Sequence, residues 1–385
     1  MIAVLGEVMI ELAPAGAGLL KTGVAGDTYN TAVMLSHLGA QVCYATALGD
    51  DNFSADIRSA MQQHGLTTSA VLTLKAQQPG LYCISNSADG ERSFSYWRQQ
   101  SAARQAFQSD FLFEQLLQAI SHCRDIYWSG ITLSLMSDGV LSRWLLFLQQ
   151  LRNRGGRVYF DTNFRAALWQ GRTGKLTSYQ AALLHCDYFL PSLEDCQSIW
   201  ECDSLTQALE LLQSELPVSG PAPVVCLTAQ QQVFWLEAGT IKQFSLKFSE
   251  QMRDATGAGD AFSGALIAAV QQGLTAESAV QIAHSAASLV VQHQGAILPP
   301  SVWPQLQQQL KDHGMKLTVR NRIIASFTVL IAILLLLAGG TTLAGLALAE
   351  FGFSLETLAS RAVEAHAIGW NIMGPGSMLA DPINA

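Results

Sequence analysis

The chain has 385 residues, 49% of them hydrophobic, and a formal net charge of −8. That length leaves room for more than one structural unit, and the apolar content is ample for a large core. The acidic balance, with no basic patch interleaved with aromatics, excludes a nucleic-acid surface. The seven cysteines, at positions 43, 83, 123, 186, 196, 202 and 226, show neither CxxC nor Cys/His spacing, so reduced core thiols of a cytoplasmic protein are expected rather than a zinc site or disulfide framework.

Met1-Ile-Ala-Val-Leu-Gly6 reads as a buried strand and not as a charged and then hydrophobic export signal. Gly6-Glu7 ends it, and Val8 to Leu12 leads into a loop rich in Gly and Ala. Ala25-Gly26-Asp27-Thr28-Tyr29-Asn30 precedes a helical pattern over 31–38 that Gly39 closes as a C-cap. Asp27 can serve there as a helix cap or as a ligand-binding group. A strand is expected from Gln41 to Leu48, a turn at 49–53 and a helix over 54–64. Pro79 to Ile84 and Arg92 to Trp97 alternate as strands around the turn sequence Ser87-Ala-Asp-Gly90. With no helix between them, they point to a separate small sheet.

Further central strands are expected at Ile126–Gly130, Arg157–Asp161 and Pro223–Leu227, with helices over 141–154 and 276–292. The strand ending at Asp161 runs into Asp161-Thr-Asn-Phe-Arg165, where open α/β sheets place their ligands.

The stretch Asp254-Ala-Thr-Gly-Ala-Gly-Asp260 opens a small apolar helix. Glycines 257 and 259 allow a tight turn, and the first amides of such a helix form an anion site. A carboxylate at that spot conflicts with anion binding unless it takes a proton. Phosphoryl transfer to an alcohol resolves the conflict: amides at Gly257, Ala258 and Gly259 stabilise the phosphoryl group while Asp260 accepts the hydroxyl proton. The plainer reading is a glycine turn with Asp260 as a cap.

Asp254 to Asp260 resembles the second signature of the ribokinase-like (PfkB) carbohydrate kinases, and Gly26-Asp-Thr-Tyr-Asn30 resembles the first. The resemblance covers residues 1–311 and implies a three-layer α/β/α sandwich with a mainly parallel sheet and a small β lid, mainly about residues 8–24 and 70–105. It places Gly26, Asp27 and Asn30 at the sugar. Ala25 stands where the family has a first glycine. Asn163, Ser192, Thr228, Gly257 and Gly259 are implied at ATP, and Asp195 at Mg²⁺ through water. Two departures fall here: Ser192-x-x-Asp195 replaces an Asn-x-x-Glu pattern, and Ala229 replaces a glycine. Gly295-Ala-Ile-Leu-Pro resembles the end of the adenine pocket. The lid is also implied as a dimer contact.

Within the family, Gly80-Leu-Tyr82 and Phe94-Ser-Tyr-Trp-Arg98 are similar to segments of 2-keto-3-deoxygluconate kinases. Tyr82, Tyr96 and Arg98 are thereby implied at an acid sugar, and the family resemblance places Arg165 at the acid sugar or the transferring phosphate. Guanidinium groups and phenols suit a carboxylate. The expected reaction is ATP-dependent phosphorylation of that sugar acid. A fructokinase-like enzyme and a membrane-tethered sensor using a degenerate kinase domain as a binding module are the alternatives.

Composition changes abruptly from Met315. A basic linker over 312–322 precedes 27 uncharged residues, Ile323 to Ala349, long enough to span a bilayer, and a patternless tail follows over 350–385. Lys316, Arg320 and Arg322 would hold the kinase side in the cytoplasm. Both a tethered kinase and a fusion of the kinase to a neighbouring reading frame fit this pattern.

Overall fold

Short runs of fully buried, mostly aliphatic and aromatic residues form strands covered on both faces. The computed structural model describes residues 1–16, 18–86, 92–217, 221–246 and 252–314. The described strands are β1 (Ile2–Leu5), β2 (Met9–Gly16), β3 (Leu19–Ala25), β4 (Val42–Leu48), β5 (Val71–Thr73), β6 (Gly80–Asn86), β7 (Arg92–Trp97), β8 (Asp125–Ser129), β9 (Val158–Asp161), β10 (Tyr188–Leu190), β11 (Val224–Ala229), β12 (Gln232–Glu237) and β13 (Thr240–Ser245).

Nine of them form one sheet in the order β13-β12-β11-β10-β9-β8-β1-β4-β5. From β11 to β5 neighbours run parallel, and β12 and β13 add an antiparallel edge. Helices between the parallel strands cover the sheet, the α/β sandwich that the family resemblance implies. Trp128 on β8 anchors the core, 5.7 Å from the Trp144 ring and 4.6 Å from the Phe160 ring.

The second sheet has the order β3-β2-β6-β7. Here the structure corrects one reading: residues 13–16 continue β2 and residues 19–25 form β3 where a loop was expected, and the two strands pair antiparallel, Ile10 with Val24 and Leu12 with Thr22. The Ala- and Gly-rich composition hid the strand period. The small sheet is also narrower than 70–105, because β5 belongs to the edge of the large sheet and 102–106 is helical.

Helix starts fall into two groups. Asp51, Ser109, Ser137, Ser204 and Thr275 each accept amides of their own first turn. The helices Asp27–His37 and Ala258–Gln271 instead open at Gly26 and Gly257, with no side-chain cap. A Cβ on Gly26 would lie 2.7 Å from the Glu7 carbonyl, and one on Gly257 2.4 Å from Ala296 Cβ, while φ at Gly257 is 76°. Glycine is required at both by close approach.

One compact unit comprises Met1–Leu310, and Lys311–Ala385 form another. The expected span at 323–349 and the tail lie outside the described residues. Among the described residues no helix is long and apolar enough to cross a membrane.

Candidate active site

A cavity of about 1410 Å³ lies at the C-terminal ends of β8 to β11, with the small sheet on its other side. The structure brings every sequence-predicted site residue to it: Gly26, Asp27, Asn30, Tyr82, Tyr96, Arg98, Asn163, Arg165, Ser192, Asp195, Thr228 and the run from Gly257 to Asp260.

Asp260 sits in the first turn of the glycine-opened helix, and its carboxylate accepts a 2.8 Å hydrogen bond from the Asn30 side-chain amide. It does not cap the helix, whose N-cap is Gly257. The Ala258 amide bonds back to Ala255, and Ala261 is the first to close onto Gly257, at 2.8 Å. The amides of Gly259 and Asp260 therefore have no backbone acceptor among the described residues, and a Cβ at Gly259 would meet open space. The arrangement can bind an anion at those amides and hold a base beside it.

Burial pushes the Asp260 carboxyl well above the usual carboxylate range, and the charge of Asp27 adds to this; Asn30 and Arg165 oppose it. A raised pKa strengthens a carboxylate as proton acceptor.

Asp27 is the first residue of its helix and not its cap. Its Oδ2 accepts the Ser129 hydroxyl at 2.5 Å and the Asn163 amide at 3.2 Å. Asn163 has φ of 27°, an uncommon backbone for a non-glycine residue. Its own amide bonds to Asp161, fixing the turn after β9. Asn163, expected at the phosphates, thus spends its side chain on the Asp27 carboxylate.

Four other expectations change in the same way. Asn30, expected at a hydroxyl, orients Asp260. The Tyr82 hydroxyl, expected to donate to a substrate carboxylate, donates to Glu11 on the neighbouring strand. Arg98, expected as an open cation, is buried with Nη2 2.5 Å from Glu7 Oε2, and Glu7 is itself buried. Ser192 caps its helix by accepting the Asp195 amide at 3.0 Å, the arrangement that Ser-x-x-acid favours at a helix start.

Asp195 accepts the Thr162 hydroxyl at 2.6 Å, and burial raises its pKa. Thr228 is bridged to Ser192, and the left-handed turn residue that follows is Gln230, φ 48°, rather than Ala229. Tyr96 is about half exposed and Arg165 is exposed; both face the cavity. Gly295 donates its amide to Asp254, whose other oxygen takes the Thr256 amide.

Sequence reasoning missed Glu7 and Asp161. Burial raises the Asp161 carboxyl to about 7, opposed by a 2.7 Å bond from Ser263, with the charges of Asp195 and Asp27 adding to the rise. Each had a signal, a lone carboxylate at the C-terminal end of an apolar strand, Asp161 as the last residue of β9 and Glu7 two residues past β1.

The pfkB family carbohydrate kinase model matches residues 1–303. The 2-dehydro-3-deoxygluconokinase of Dickeya dadantii (strain 3937) is 35% identical over 311 residues, covering 79% of this chain and 98% of that protein. The Escherichia coli (strain K12) protein of the same name is 33% identical over 310 residues, with the same coverage. Among solved structures, a fructokinase with bound ATP from Xylella fastidiosa superposes with a TM-score of 0.65 at 22% identity, covering 80% of this chain and 98% of that one. The motifs at both ends of the cavity, the fold around it and a family match over most of the chain agree: the protein belongs to the pfkB family of carbohydrate kinases.

Proposed function

We propose that the protein transfers the γ-phosphoryl group of ATP to the terminal hydroxyl of 2-keto-3-deoxy-D-gluconate. The product is 2-keto-3-deoxy-6-phosphogluconate, for use in sugar-acid breakdown. The observation that carries this is Asp260, held by Asn30 beside the uncapped amides of Gly259 and Asp260 itself. In the step, the hydroxyl oxygen forms a bond to the γ-phosphorus, the bond to the leaving ADP oxygen breaks, and Asp260 takes the hydroxyl proton. Positioning and charge stabilisation supply most of the acceleration. The small sheet keeps competing water from the reacting groups.

Asp27 holds sugar hydroxyls, and Arg165 pairs with the acid-sugar carboxylate or the moving phosphoryl group. The substrate class comes from the relatives at 33–35% identity, whose printed name is 2-dehydro-3-deoxygluconokinase. The chemistry of Asp161 and Asp195 fits Mg²⁺, because both offer hard oxygen donors to the cavity. The only described group with three ligand atoms within 4.8 Å of one another is elsewhere, which favours a hold on the ion through its waters. When bound, Mg²⁺ neutralises charge on the phosphate oxygens.

The Arg98–Glu7 pair favours a second reading. It removes one of the two cations expected for an anionic acceptor, so a neutral sugar such as fructose becomes the alternative. ADP release by the full chain with ATP and Mg²⁺ separates them. Preference for 2-keto-3-deoxygluconate over fructose, ribose and gluconate supports the acid sugar; turnover of fructose alone discards it.

Self-association through the small sheet belongs to the same proposal. Trp97 and Leu20, 61% and 52% exposed, lie off the cavity lining and offer an apolar surface. A Trp97→Glu variant that stays at the wild-type mass in solution would remove this contact from the account.

A further inference from the structure

The catalytic groups lie at the C-terminal ends of the parallel strands. At the opposite end, folding brings Cys43 to the adjacent pair His122 and Cys123, far along the sequence from it. Cys43 is the second residue of β4, directly opposite Ala3 of β1. His122 and Cys123 follow the helix Asp110–Ile120, in a turn closed by the Cys123 amide on the Ile120 carbonyl at 2.9 Å, and lead into β8 on the other side of β1.

One ligand atom from each of Cys43, His122 and Cys123 lies within 4.8 Å of the other two, the only such group among the described residues. Cys123 Sγ is 3.8 Å from His122 Nε2. Tetrahedral zinc with ordinary bond lengths to sulfur and nitrogen spaces its ligand atoms by roughly 3.6–3.8 Å. The three side chains are thus within small rotamer adjustments of a shared coordination sphere.

We propose that Cys43, His122 and Cys123 bind a thiophilic divalent cation of the zinc type through two thiolates and one imidazole, with water as the fourth ligand. The environment supports the assignment. Cys43 and Cys123 are buried, at 0% and 4% exposure, whereas His122 is exposed and opens the cluster to solvent. Two thiolates balance the charge of a divalent ion, which removes the cost of leaving ionised sulfur in an apolar setting. Ser69 Oγ, 3.7 Å from Cys43 Sγ, adds a polar neighbour.

The site is structural and not catalytic, since it lies at the ends of β4 and β8 remote from Asp260. An ion there ties β4 to the entry of β8 across β1. The other ends of β1 and β8 lead to Glu7 and Ser129, the partners of Arg98 and Asp27. Binding to the folded state alone raises thermal stability by mass action.

The test uses the full chain, reduced and stripped with a chelator, then titrated with zinc against a competing indicator. One zinc per chain and a thiolate-to-metal charge-transfer band on cobalt(II) substitution are expected. The band separates sulfur ligation from metal held by the active-site carboxylates. His122→Ala, at an exposed position, should fold normally and weaken binding by at least the ~10–100-fold that loss of an outer hydrogen-bond partner costs a metal site. It should also abolish the zinc-dependent rise in Tm while leaving sugar phosphorylation unchanged; Cys123→Ser should remove the cobalt band. Zinc retention unaltered in His122→Ala, or no sulfur band in the wild type, overturns the proposal. Two thiols lost to an oxidant and recovered by a reductant, with no metal retained, overturn it in favour of a disulfide.

Discussion

The two walls of the cavity are built on opposite terms. The floor, at the strand ends of the large sheet, gathers Asp27, Asp161, Asp195 and Asp260, each held by a donor from a distant element. Burial raises the pKa of three of them. The small sheet opposite offers Phe94 and Tyr96, 41% and 51% exposed, and the two carboxylates beside it are held: Glu7 by Arg98 and Glu11 by the Tyr82 hydroxyl. The floor therefore holds buried carboxylates whose charge opposes folding, as active sites commonly do, while the carboxylates on the small sheet's side are partnered. Of the two arginines expected at an anionic acceptor, Arg165 on the floor is the one exposed to the cavity.

Breaking the floor at its centre should have the largest effect. Asp260→Asn is expected to lower kcat by about 10²–10⁴-fold, the usual worth of a general base, with ATP affinity nearly unchanged. Steady-state rates and nucleotide titration check this, and a variant that keeps most of its turnover removes Asp260 as the base.

Arg98→Leu breaks the small sheet's own charge balance. It leaves Glu7 buried without its partner, so a loss of about 3–5 kcal/mol in unfolding free energy is expected from urea titration. A change in sugar KM with wild-type stability would instead return Arg98 to the role of open cation.

Asp161 sharpens the comparison through pH. Its carboxyl titrates near about 7 when folded, against 3.8 for the free group. Between those values the native state holds a proton that the unfolded state has lost, so the contribution is complete below about pH 4 and disappears as pH rises to 7. Unfolding free energy without nucleotide or metal should fall across that window, with a ceiling of about 1.4 kcal/mol per unit of separation. Asp161→Asn should flatten the slope.

The smallest effect is expected at Arg165, which is exposed and whose guanidinium bonds only the adjacent Phe164 carbonyl among the described hydrogen bonds. Arg165→Leu should weaken 2-keto-3-deoxygluconate by about 1.5–3 kcal/mol, the worth of a charged hydrogen bond, and fructose by much less. Equal losses on both would assign Arg165 to the phosphoryl group.

Local chemistry was legible in the sequence where it depends on neighbours in the chain. The turn at Gly257 and the close approach at Gly26 are written in glycine, and buried strands such as β1 in unbroken apolar runs. Partner choice was not legible, because it depends on residues far apart. Asn30 and Asp260 are 230 positions apart, and Asn163 and Asp27 are 136 apart. A polar residue in a site motif can therefore be read as a ligand contact when it orients another side chain. Arg98 illustrates this: its charge looked available only because Glu7 was read as the end of a strand. The β2–β3 hairpin escaped for another reason, as alanine, glycine and proline between Ala13 and Gly18 carry too little hydrophobic contrast to show a period of two.

The account turns on one geometry, and a structure of the full chain with 2-keto-3-deoxygluconate and a non-transferable ATP analogue measures it. The terminal hydroxyl oxygen is predicted within about 2.6–3.2 Å of the Asp260 carboxylate. The γ-phosphoryl oxygens should meet the amides of Gly259 and Asp260, with the sugar carboxylate at Arg165. A terminal hydroxyl that faces away from Asp260 in the closed complex, with the phosphate clear of those amides, would contradict it.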